Sequence, residues 1–132
     1  MLDVATLFIV TNNDKVLDKY HDYNIKYIDS ESMYDVFITA RDLIHKGYKL
    51  LTHPMSSSLK ANQTPYKSIL MLKKNDGINF EDLQLIENAI ENYNKFIKNR
   101  KLTDWPENIK NDFKTVDMSL IESCFSKTLP LN

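Results

Sequence analysis

At 132 residues, 42% hydrophobic and 27% charged, the chain fits one soluble α/β domain over residues 1–132, burying about two-thirds of the surface its unfolded form exposes. Its 17 basic and 18 acidic residues leave a net charge of −1, too weak a field to make nucleic acid or an anionic membrane the principal partner. A single cysteine, Cys124, excludes an internal disulfide and a thiolate zinc cage, and the only two glycines, Gly47 and Gly77, exclude both glycine-rich nucleotide fingerprints.

The start, Met1-Leu2-Asp3-Val4-Ala5-Thr6, has no basic signal region. No apolar run approaches the roughly 20 residues that span a bilayer, so a cytoplasmic location is the default expectation. Abundant lysine, asparagine and isoleucine with only two arginines, Arg41 and Arg100, point to an AT-rich bacterial source.

In chain order, Ala5-Thr6-Leu7-Phe8-Ile9-Val10 is a nearly continuous apolar run, which predicts a central parallel strand buried on both faces. Thr11-Asn12-Asn13-Asp14 supplies turn and cap chemistry for a short helix over Lys15 to Tyr20, with Val16 and Leu17 inward. Ile25 to Ile28 reads as a second strand. Ser30 or Ser32 can cap the next helix, where Met33, Val36, Phe37, Ala40, Leu43 and Ile44 share one face, and Gly47 can end it.

Tyr48 to Thr52 is the third strand and Tyr66 to Leu72 the fourth, separated by a polar segment. Asn79 can cap a helix whose stripe is Leu83, Ile86, Ile90, Tyr93 and Ile97, with Ile78 and Leu83 as a hydrophobic staple. Asp104-Trp105-Pro106-Glu107 has capping-box spacing, and Ile109, Phe113, Val116, Leu120 and Cys124 form the stripe of a last helix. The expected fold is a small open sheet of about four strands, mostly parallel with the first three parallel, Rossmann-like without the glycine fingerprint, and followed by two C-terminal helices.

The polar segment carries the functional interest. His53, Ser56, Ser57, Ser58, Lys60 and Lys67 fall between the third and fourth strands, with two of the 4 prolines. In open parallel sheets, ligands bind beyond the carboxyl ends of the strands. If the first and third strands are neighbours, Thr11, Asn12 and Asn13 meet His53 and the serines at one edge. There the serine hydroxyls and main-chain N–H groups can form an anion nest, with Lys60 or Lys67 adding positive charge. The alternative is a solvated structural loop.

His53 is the candidate acid or base. Its alternative role is a hydrogen-bonding anchor before Pro54, and neither a Ser-His-Asp spacing nor a G-x-S-x-G elbow accompanies it. His21 and His45 belong to no H-E-x-x-H motif, so neither a metal nor any other cofactor is expected. Cys124 reads as a buried apolar residue or, less simply, a reactive thiol.

Three stretches resemble one family: Leu7-Phe8-Ile9-Val10-Thr11-Asn12-Asn13; Arg41-Asp42-Leu43-Ile44-His45-Lys46-Gly47-Tyr48-Lys49-Leu50-Leu51-Thr52-His53-Pro54; and Asn62-Gln63-Thr64-Pro65-Tyr66-Lys67-Ser68. They look like the GrdX family, small bacterial proteins associated with gene clusters for glycine, sarcosine and betaine reductases. The resemblance implies a setting in anaerobic amino-acid fermentation but supplies no catalytic residues. Cys124, alone and outside the resembling central stretch, does not suggest a redox-active subunit.

Two functional expectations follow. The first is an accessory or regulatory protein binding a small anionic metabolite or a reductase component. The second is a small enzyme acting on a phosphate- or carboxylate-bearing metabolite with His53 as acid or base. A homodimer through the C-terminal helices is a third kind of partnership, although such stripes more often complete a domain's own core.

Overall fold

The computed structural model describes residues 6–54, 64–99 and 104–128. The elements run β1 (Leu7–Thr11), α1 (Asp14–Lys19), β2 (Asn24–Tyr27), α2 (Met33–His45), β3 (Lys49–Leu50), β4 (Ser68–Leu72), α3 (Phe80–Asn99) and α4 (Glu107–Thr128). They build an α/β fold around a four-stranded open sheet of order β2-β1-β4-β3.

The sheet is mixed, which corrects the mostly parallel expectation. β1 pairs parallel with β2 but antiparallel with β4, and β3 also pairs antiparallel with β4. Strands β1, β2 and β3 therefore point one way, with β4 inserted between β1 and β3 and running against both. The link between β3 and β4 contains no helix among its described residues, and a parallel neighbour pair needs a crossover, usually helical. β1 and β3 are consequently not neighbours, and Thr11 and His53 lie on opposite sides of β4.

Alternation along the two central strands sorts the core into two clusters. Leu7 and Ile9 of β1 and Leu70 and Leu72 of β4 pack with Val16, Ile121 and Phe125 from α1 and α4. Val10, Ile69 and Met71 pack on the other face with Val36, Phe37 and Ile44 of α2 and Ile86, Ala89 and Ile90 of α3. The two C-terminal helices thus cover opposite faces of the sheet.

Local signals account for most boundaries. Asn13 caps α1, its side-chain oxygen accepting from Lys15 N at 3.1 Å. α2 starts after Ser32, while Ser30 Oγ donates to Asp35 Oδ2 at 2.7 Å. Gly47 adopts φ +100°, and a Cβ there would meet Asp76 N at 2.9 Å, so α2 ends where only glycine fits. Asn79 Oδ1 accepts from Asp82 N at 3.1 Å at the start of α3. Ile78, the expected staple, is 37% exposed.

α4 is rotated relative to the sequence expectation. Its buried positions are Asp117, Ile121 and Phe125, with Met118 and Cys124 partly buried against the same cluster, whereas Val116 and Leu120 are 45% and 36% exposed. Both stripes obey helical spacing, and the face carrying Asp117 is the one turned to the sheet. Ile121→Ala should therefore cost about 2–5 kcal/mol and Leu120→Ala less than about 1 kcal/mol in denaturant unfolding. The reverse order would refute this placement of α4.

Candidate functional site

The carboxyl ends of β1 and β2 and the beginning of β4 share one sheet edge, where Thr11 is paired with Ser68 in the antiparallel register and with Tyr27 in the parallel one. By strand alternation Thr11 and Ser68 point to the same face as Leu7, Ile9, Leu70 and Leu72, toward α4. There they meet Asp117, the polar member of the inward face of α4.

The result is a buried hydrogen-bonded hub. Thr11 Oγ1 lies 2.6 Å from Ser68 Oγ, and Ser68 Oγ donates to Asp117 Oδ2 at 2.6 Å. Asn13 N donates to Thr11 Oγ1 at 3.0 Å. Asp117 also accepts from Ser68 N at its other oxygen, 3.0 Å away, and from Asn13 Nδ2 at 3.0 Å. The Asn13 amide reaches the Lys114 carbonyl as well, at 2.8 Å. Burial pushes the Asp117 carboxyl above its ordinary range, against the pull of the Ser68 and Asn13 bonds and the nearby Lys67 charge.

Asn12 is a clamp between three segments. Its amide nitrogen donates to the carbonyls of Ser30, at 3.0 Å, and Pro65, at 2.8 Å. Its oxygen accepts from Lys67 N at 2.9 Å. Lys67 itself is buried, which lowers its affinity for a proton although the Asp117 charge works in the other direction.

A second polar layer lies above the hub. Tyr66 OH donates to Glu31 at 3.0 Å, and Lys110 Nζ is 3.0 Å from the same carboxylate. The Lys110 bond holds Glu31 below its ordinary pKa, while burial and then the Glu31 bond push the Tyr66 phenol up. Lys114 pairs with Asp14 at 3.1 Å and stands 5.2 Å from the centre of the Tyr66 ring. The cations of α4 at this edge thus already face carboxylates.

Of the residues expected at a site, Thr11, Asn12, Asn13 and Lys67 converge here, with the polar groups of the first three engaged in the contacts above. His53 is exposed beyond β3, across β4 from Thr11. Beside it, buried Thr52 accepts from Leu70 N through its hydroxyl at 3.1 Å. Ser56, Ser57, Ser58 and Lys60 lie outside the described residues. Sequence reasoning missed Asp117, Ser68, Glu31, Tyr66, Lys110 and Lys114. One signal for Asp117 was present: it precedes Ile121 and Phe125 by one and two helical repeats of four.

Among the described residues, no group of three or more His, Cys, Asp or Glu side chains could hold a metal ion, and no helix is long and apolar enough to cross a membrane. Cys124 is half-buried against the α1/α4 cluster.

An open mixed sheet with helices on both faces and a buried carboxylate hub at one edge defines the chain as a small α/β protein. Residues 8–126 match the GrdX-like protein family model, and the chain belongs to that family. This membership associates it in general terms with glycine reductase-type systems. No curated protein and no solved structure matches it.

Proposed function

We propose that this chain is an accessory or regulatory binding protein of the glycine reductase system, presenting its His53–Ser68 segment to a small anion or a reductase component. The observation carrying this reading is the anchoring of that segment at both ends. Thr52 is tied to β4 through Leu70 N. On the other side, Thr64 Oγ1 accepts from Tyr66 N at 3.2 Å, and Asn12 holds both Pro65 and Lys67. Segments whose two ends are tied to a scaffold commonly serve recognition.

Charge distribution refines which groups would do the binding. Lys110 and Lys114 are committed to carboxylates, and Lys67 is buried. Serine hydroxyls and Lys60 are therefore the expected contacts, with His53 at their border. The test is a thermal-shift titration with phosphate, acetyl phosphate, glycine, sarcosine and betaine. A ligand at a hundred times its dissociation constant adds about 2.7 kcal/mol of stability. The expected result is stabilisation by one of them that Lys60→Gln abolishes. No stabilisation, together with no co-elution with the purified reductase complex, overturns the reading.

A further inference from the structure

The opposite end of the sheet carries a basic cleft. It has a volume of about 780 Å³ and is lined by His45, Lys46, Tyr48, Lys73, Lys74 and Asn75, closing at Gly77. That volume is in the range of small-molecule sites, well above the needs of one water or a monatomic ion. The geometry points to this cleft as a binding site for a small phosphate-bearing molecule with two or more negative charges.

The site follows from the strand directions. β4 runs antiparallel to β3, so the chain leaving β4 at Leu72 emerges beside the chain entering β3 at Lys49. Lys73 is held there by donating its N–H to the Thr6 carbonyl at 2.7 Å. The end of α2 arrives at the same place, and the two walls touch through backbone: Gly47 packs so tightly that a Cβ would lie 2.9 Å from Asp76 N and 3.0 Å from Asn75 Cα. Tyr48 is oriented by an edge-on contact with Phe8, with ring centres 5.3 Å apart.

Electrostatics separates this cleft from the edge described above. Among the described residues, Lys46 and Lys73 form no ion pair, and the carboxylate within ion-pair distance of Lys74 is that of exposed Asp76, at 4.0 Å. Asp82, on neighbouring α3, accepts from Leu50 N at 2.9 Å. Asp42 lies one turn before Lys46 on α2 and is exposed. Three lysines thus line a cleft with no acidic side chain in its lining among the described residues.

Helix capping does not explain the positive charge. Two of the last carbonyls of α2 are already used: Leu43 accepts from Lys46 N and Tyr48 N, and Ile44 accepts from Gly47 N, all at 3.0 Å. The ammonium groups of Lys46 and Lys73 are therefore available to an external anion, with Lys74 shared with exposed Asp76. Lysine suits phosphate as a point charge without requiring a planar bidentate partner.

The experiment is an amide-resolved NMR titration of the full chain with inorganic pyrophosphate and, separately, inorganic phosphate. Saturable shifts confined to residues 45–49 and 73–77 are expected, tighter for pyrophosphate and weakening as salt is raised. Lys46→Gln with Lys73→Gln should weaken pyrophosphate binding at least tenfold, whereas Lys95→Gln with Lys98→Gln on α3 should leave it unchanged. Lys60→Gln should also leave it unchanged, which separates this cleft from the proposed recognition edge. Absence of saturation, shifts spread over lysines generally, shifts centred on Thr11 to Asn13, or full binding by the Lys46/Lys73 variant would each overturn the assignment.

Discussion

Asp117→Ala is expected to lower the unfolding free energy by about 3–5 kcal/mol, because three buried donors lose their acceptor at about 1–3 kcal/mol each. The donors are Ser68 N–H, the Ser68 hydroxyl and the Asn13 amide, at 3.0, 2.6 and 3.0 Å. With Asp117 only 7% exposed, water cannot replace the missing oxygens without opening the packing of α4. Lys67 also loses the negative charge that offsets part of its burial.

A double-mutant cycle in urea with Lys67→Met separates these contributions. The double variant should lose less than the sum of the singles by about 1 kcal/mol, since removing both charges leaves neither uncompensated. A single-variant loss below about 1 kcal/mol, or strict additivity, contradicts the hub as described.

The same groups set opposite pH slopes. Asp117 is raised above 3.8 by burial, so the folded state keeps its proton to higher pH than the unfolded chain. Its contribution to stability falls as pH rises from about 3.8 to the folded value and is constant above it. Lys67 is depressed below 10.5 by burial, so its contribution grows as pH rises from its folded value toward 10.5. Glu31, lowered by the Lys110 bond, stabilises above its unfolded value and loses that contribution as pH falls through the folded one. The stability difference between the natural chain and Lys67→Met should therefore increase toward pH 10.5. A flat difference would count against a buried titrating lysine.

Asn12→Asp is expected to cost about 3–4 kcal/mol at neutral pH despite its near-identical shape. The natural amide donates to two carbonyls, at 3.0 and 2.8 Å, and accepts from Lys67 N at 2.9 Å. A carboxylate would place negative charge against both carbonyls in a position only 3% exposed. Protonation restores one donor, so the variant should recover part of the loss on acidification. Guanidinium unfolding at pH 5 and pH 8 checks this, with the larger deficit at pH 8. Equal deficits, or none, would mean that Asn12 does not clamp Ser30 to the start of β4.

Some of this architecture was legible because its causes are local. The apolar run ending at Val10 produces a central strand, and Asn13 followed by Val16 produces a capped helix. The α2 face at Met33, Val36, Phe37, Ala40 and Ile44 is buried as its spacing predicts. Gly47 takes the left-handed backbone that its place after α2 requires. On α3, Ile86, Ile90 and Tyr93 are buried along the expected stripe.

The errors arose where two solutions were locally equivalent. On α4, the stripe through Val116 and Leu120 is apolar at helical spacing, and the face containing Asp117 carries a charge. Ser68 and Thr11 make the polar residue acceptable in the interior; Ser68 lies 49 residues before Asp117, and Thr11 lies 57 residues before Ser68. No local pattern connects them. The antiparallel insertion of β4 had one visible clue, the lack of a helical pattern between the third and fourth strands. Its pairing with β1 had none, because that contact joins segments distant in the chain.

By itself, the amino-acid sequence determined where strands and helices form, which glycine ends α2, and the kinship carried by the stretches through Asn13, Pro54 and Ser68. Tertiary structure alone decided the strand order, the division of α3 and α4 between opposite faces, the partners of Asp117, and the basic cleft between Lys46 and Lys73. The physical reason is range. Periodicity, capping and turn chemistry act over one or two turns of chain, whereas buried hydrogen bonds and the charge around a cleft depend on which distant segments the folded sheet brings within a few ångströms.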